Sequence, residues 1–141
     1  MEGTRILISE DDSSVRRVLA RVFDQAGFDV TAMPNGLLAL EALRASAEDR
    51  RFDVMVTDIN MPEMTGRQLC EHIAEHGPYI PDVTFVVTSR TEREEREWVS
   101  ALPGVRVIEK PIGPRNLLRL VKERLLAGVA EGPDREPTRT P

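Results

Sequence analysis

Short apolar runs alternate along the whole chain with longer stretches of helical periodicity. Five runs read as strands: Arg5 to Ser9, Phe28 to Ala32, Val54 to Asp58, Val83 to Thr88 and Val105 to Ile108. Runs of this length that are apolar at consecutive positions suit strands covered on both faces. After the first run, Val15, Val18, Leu19, Val22 and Ala26 fall at helical spacing, with Arg16, Arg17, Arg21 and Asp24 opposite. Gly27 ends that helix. Asn35 can cap a second helix over Leu37, Leu40, Ala42 and Leu43. Thr65 and Gln68 form a capping box for a third, with Leu69, Cys70, Ile73 and Ala74 inward. A fourth spans Thr91 to Leu102, and a fifth starts at Gly113-Pro114 with Leu117, Leu118, Val121 and Leu125 inward.

Five strands alternating with five helices predict an α/β fold, a doubly wound parallel sheet with helices on both faces. The fourth helix is expected to be the loosest. Its apolar residues begin only at Trp98, and pairs such as Glu92 with Arg96 and Arg93 with Glu97 contribute only a few tenths of a kcal/mol each, roughly. From Gly128 onward there are three prolines and no apolar face, so 128–141 is expected to be a disordered tail or linker stub.

Composition narrows the function classes. The 141 residues suffice for one domain with a real core. Net charge is −5 with acids and bases interspersed, which argues against direct nucleic-acid binding. No apolar run reaches membrane length, and the N-terminus lacks a signal-peptide layout. Cys70 is the only cysteine, so no internal disulfide forms, and a reducing cytoplasm is the expected compartment. At its helical position Cys70 reads as a small core hydrophobe. His72 and His76, four apart, have a spacing that can hold zinc, yet no third ligand converges from nearby sequence; they read as surface residues.

The candidate chemistry lies where strands end. The first runs into Glu10-Asp11-Asp12, three acids whose mutual repulsion calls for a cation or water. Asp12 or Ser13 can also cap the next helix, and the two roles are compatible. The third strand stops at Asp58, before the Met61-Pro62 turn and Gly66. Alone, Asp58 is as readily a turn cap as a ligand. The fourth ends in Thr88-Ser89-Arg90 and the fifth in Glu109-Lys110-Pro111. In a parallel sheet all these ends share one edge, where open α/β sheets bind ligands. No Gly-rich phosphate loop is present, which disfavours nucleotide binding. Acids, a lone carboxylate, a hydroxyl and an ammonium together suit a carboxylate that accepts a phosphoryl group beside a cation. Only 2 of the 19 basic residues are lysine, and Lys110 is one of them.

The motifs Ile-Leu-Ile-Ser-Glu10-Asp11-Asp12, Val-Thr-Asp58-Ile-Asn60-Met-Pro62-Glu-Met-Thr-Gly66, Val-Val-Thr88-Ser89 and Val-Ile-Glu-Lys110-Pro111, in this order, resemble the CheY-like receiver domains of bacterial two-component response regulators. The resemblance covers residues 4 to 127 and implies a receiver domain over 1–127 with the flavodoxin-like strand order 2-1-3-4-5. It implies that Asp58 takes a phosphoryl group from a phosphohistidine of a sensor histidine kinase. Glu10, Asp11, Asp58 and the Asn60 carbonyl would bind Mg²⁺, while Thr88 and Lys110 would hold the phosphoryl oxygens. The surface around residues 89 to 115 would then change its partners, an output protein or domain. A freestanding relay to a histidine phosphotransfer protein is an alternative. So is a Mg²⁺-dependent phosphatase, although Asn60 stands where that chemistry needs a second carboxylate.

Three finer expectations follow from the resemblance. The Lys110–Pro111 peptide is expected to be cis. Asn60 and Arg90 would flank the path of the hydrolytic water, with Arg90 shielding the phosphoryl group. The family's switch aromatic, three residues before the lysine, is replaced by Val107, so the usual aromatic flip coupled to Thr88 cannot operate here.

Overall fold

The computed structural model describes residues 3–46, 50–75, 80–89 and 93–131. The chain alternates β1 (Arg5–Ser9), α1 (Ser13–Gln25), β2 (Asp29–Met33), α2 (Gly36–Ser46), β3 (Val54–Asp58), α3 (Gly66–Glu75), β4 (Val83–Thr88), α4 (Arg93–Ser100), β5 (Val105–Glu109) and α5 (Pro114–Glu131). All strand pairs are parallel and the order is β2-β1-β3-β4-β5, the doubly wound order expected.

Side chains alternate across each strand, so the central strands feed two cores. On one face Ile6, Ile8, Val54, Val56, Phe85 and Val87 pack against Leu19 and Phe23 of α1 and Leu117 and Val121 of α5. On the other, Leu7, Met55 and Val86 pack against α2, α3 and α4 through Leu40, Leu43, Leu69, Ile73 and Trp98. Full burial of β3 and β4 on both faces is why their sequences are apolar at consecutive positions. Cys70 lies in the second core, and burial pushes its thiol pKa up to about 12, so it is the inert core residue expected.

Several side chains depart from the expected helix faces. Val15 and Val18 are 43% and 45% exposed, and α1 instead buries Leu19 and Phe23, whose aromatic ring packs edge-on against Phe28. On α2 Ala39 is buried together with Leu40 and Leu43 while Leu37 is exposed, and Ala74 of α3 is exposed too. Val15 and Val18 lie over the cleft at the strand ends rather than over the sheet, so helical spacing alone does not bury them. Helix α5 continues to Glu131, three residues past Gly128 where the tail is expected to start; the remainder of 128–141 lies outside the described residues. Trp98 and Val99 of α4 are buried, whereas Thr91, Glu92 and the expected ion pairs of that helix lie outside the described residues or side chains.

Candidate functional site

Register fixes the site before any side chain is placed. Ser9 pairs with Thr57, Asp58 with Val87 and Thr88 with Glu109, so Glu10, Asp58, Thr88 and Lys110 fall at successive strand ends on one edge. Alternation separates them by face. Asp58 continues the parity of Val54 and Val56, toward α1 and α5, and Glu10 and Lys110 continue that of Ile8 and Ile108. Thr88 shares the parity of Val86, toward the opposite core.

Asp58 is held from two directions. Its Oδ1 accepts from the Ile59 N–H at 2.9 Å and its Oδ2 from Lys110 Nζ at 3.1 Å. The Asp58 side chain is 11% exposed and that of Lys110 38%. One oxygen each from Glu10, Asp11 and Asp58 lie within 4.8 Å of one another. A hard divalent ion with oxygen bonds of about 2.1 Å spaces its ligand atoms roughly 3–4 Å apart, so small rotations bring the three carboxylates onto one ion. The donor set is all carboxylate, which suits Mg²⁺ and does not suit a soft metal. Among the described residues this is the one acidic cluster close enough to hold a metal.

Glu10 is the most constrained of the three. It is buried, its N–H donates to the Met33 carbonyl at 3.0 Å, and its carboxylate accepts from the Asp12 N–H at 3.0 Å. Burial raises its pKa above the ordinary glutamate value. The Asp12 hydrogen bond opposes that shift, Asp58 adds to it, Lys110 opposes it, and Asp11 adds to it. A buried carboxylate facing two others is the electrostatic setting a bound cation relieves.

The third acid has a different task. Asp12 is the N-cap of α1, its Oδ1 accepting from Ser14 N–H at 2.9 Å and Val15 N–H at 3.1 Å. Sequence spacing missed Arg16, assigned to the outer face of α1. Its Nη1 donates to the Glu10 carbonyl at 2.9 Å and to the Asp11 carbonyl at 3.4 Å. The available signal was direction: helical side chains lean toward the N-terminus, and Arg16 stands one turn after the Asp12 cap.

Gly66 sets the loop after β3. Its N–H donates to the Ile59 carbonyl at 2.7 Å, and a Cβ added there would stand 2.1 Å from the Asp58 carbonyl oxygen. Below the loop, Ser9 Oγ lies 3.0 Å from the Met61 sulfur. On the α1 side, a cleft of about 690 Å³ runs from Glu10, Asp11, Asp58 and Lys110 to the exposed Val15 and Val18.

Of the other expected residues, Thr88 is buried and its carbonyl accepts from the Lys110 N–H at 2.8 Å, but it does not line that cleft. Asn60 is exposed in the bend after β3. The Lys110–Pro111 peptide is cis, as expected. Val107 pairs with Val86 and packs partly buried against the second core. His72 Nε2 contacts Arg44 Nη2 at 3.0 Å; His76 and Arg90, with its proposed shielding role, lie outside the described residues.

Comparison with known proteins agrees with this fold. The family model described as the response regulator receiver domain matches residues 6–122. The chain is 32% identical over 123 residues to the response regulator receiver protein CpdR of Brucella abortus, covering 87% of this chain and 98% of CpdR. Several other curated relatives are longer, and the chain matches only 12 to 52% of their length. The chemotaxis response regulator CheY4 of Vibrio cholerae superposes with a TM-score of 0.73 at 27% identity, over 86% of this chain and 98% of that one. A CheY-like receiver domain protein from Methanospirillum hungatei gives 0.77 at 27% identity, over 93% and 100%. No helix among the described residues is long and apolar enough to cross a membrane.

Proposed function

The chain belongs to the response regulator receiver family of two-component signalling, and on that premise we propose that Asp58 is its phosphoacceptor. An Asp58 oxygen attacks the phosphorus of a phosphohistidine on a sensor histidine kinase or a histidine phosphotransfer protein. The P–N bond breaks, its electron pair returns to the imidazole, and an acyl phosphate forms on Asp58. Glu10, Asp11, Asp58 and the Asn60 carbonyl are the proposed Mg²⁺ ligands. The bound ion supplies positive charge that neutralises the incoming phosphoryl oxygens.

Lys110 already approaches the Asp58 oxygen from the other side, so its ammonium is placed to follow the charge onto a phosphoryl oxygen. Thr88 reaches the phosphoryl group from the opposite face once it forms. The chain acts as a signalling acceptor that catalyses only its own phosphorylation and dephosphorylation, in the cytoplasm. The observation carrying this reading is the cluster of Glu10, Asp11 and Asp58 with Lys110 on the same Asp58 carboxylate.

Incubation with acetyl phosphate, followed by intact mass, tests it. Wild type gains one phosphoryl group only when Mg²⁺ is present, and Asp58→Asn gains none. Equal modification of Asp58→Asn overturns the assignment.

A further inference from the structure

Arg16 is the one cation of α1 that turns back over the acidic loop. Its Nη1 is shared between the carbonyls of Glu10 and Asp11, the two residues whose carboxylates face Asp58. It binds their backbone oxygens and leaves the carboxylate oxygens open. The loop is thereby closed on three sides: Glu10 N–H to Met33, the Glu10 carboxylate to Asp12 N–H, and the two carbonyls to Arg16. Asp12 in turn caps α1, and its carbonyl accepts from Arg16 N–H at 2.8 Å, so the helix and the loop hold each other.

We infer that Arg16 is a positioning residue for the metal site, fixing the backbone that aims Glu10 and Asp11 at a shared ion. The inference rests on the proposed reading of that cluster as the Mg²⁺ site. Two effects of Arg16 oppose each other. Its charge lies near the ion and repels it, whereas its bonds to the carbonyls hold the ligands in place. The repulsion is weak because solvent screens an incompletely buried arginine. The ordering term is larger, since partners outside the ligand shell commonly change metal affinity about tenfold or more.

The experiment is Mg²⁺ titration by calorimetry on the metal-free chain, with urea unfolding to confirm a native fold. Wild type must bind first; no binding there overturns the metal reading itself and not only the role of Arg16. Arg16→Met keeps the stem and removes the donor, and it is expected to bind Mg²⁺ about tenfold more weakly. Phosphorylation by acetyl phosphate should slow at low Mg²⁺ and return to the wild-type rate at saturating Mg²⁺, a split that general loss of structure would not give. If Arg16→Met does not fold, Arg16→Lys, which keeps the charge but shortens the reach to the carbonyls, is measured with the same outcomes. A folded variant that binds Mg²⁺ as tightly as wild type, or more tightly, overturns the proposal.

Discussion

Lys110 Nζ lies 3.1 Å from Asp58 Oδ2, although the two residues end strands separated by β4 and stand 52 positions apart in the chain. The pair exists because parallel pairing in register brings the ends of β3, β4 and β5 to one edge. The ammonium therefore competes with a cation for the same carboxylate before phosphorylation and serves the phosphoryl group after it.

Lys110→Ala should separate those two tasks. Mg²⁺ affinity is expected to stay level or rise, because a competing positive charge leaves Asp58. Phosphorylation at saturating Mg²⁺ should slow by about 10²-fold, the usual loss when one charge-stabilising donor is removed. Calorimetry and intact mass measure the two separately, and parallel loss of both would contradict the account.

Glu10→Gln should raise the melting temperature of the metal-free protein at pH 7. The folded-state pKa of Glu10 lies above its unfolded value, so its charged form is disfavoured by folding. Between the unfolded and folded pKa values the native state binds more protons, and wild-type stability falls as pH rises through that window. The variant lacks this penalty, and its advantage should shrink as acid protonates wild-type Glu10. Added Mg²⁺ should reverse the order by stabilising only wild type. A lower melting temperature for the variant at pH 7 without metal would count against the electrostatic picture.

Gly66→Ala places a methyl group 2.1 Å from the backbone oxygen of Asp58, where no flexible side chain can yield. The expected loss is about 1–3 kcal/mol in urea unfolding, with slower phosphorylation because the loop carrying Asp58 must shift. Wild-type stability in this variant would show that the loop relaxes freely.

These residues also show where a sequence can be read and where it cannot. Asp58, Lys110 and the acidic run were legible because each interrupts an apolar strand at the same end, and parallel order converts that repetition into one site. Asp12 was legible as a cap from its place before the helix. Val15 and Val18 share helical spacing with Leu19, but periodicity gives the direction of a helix face and not how far along it the sheet reaches; they border the cleft instead. Arg16 was missed because its partners are carbonyls, which leave no trace in residue identity. The route from Asp58 to an output surface is equally unwritten, since Val107 shows what is absent at the aromatic position and not what replaces it.

The most direct measurement locates the acyl phosphate. Trypsin cuts after Arg51 and Arg67, so residues 52–67 form one peptide containing Asp58. Protein treated with acetyl phosphate and Mg²⁺, then with borohydride, should carry homoserine at position 58 in that peptide, because borohydride reduces an acyl phosphate to an alcohol. Without Mg²⁺ the peptide should be unchanged. Reduction at another aspartate or glutamate, or none at all in protein that binds Mg²⁺, would contradict Asp58 as the acceptor.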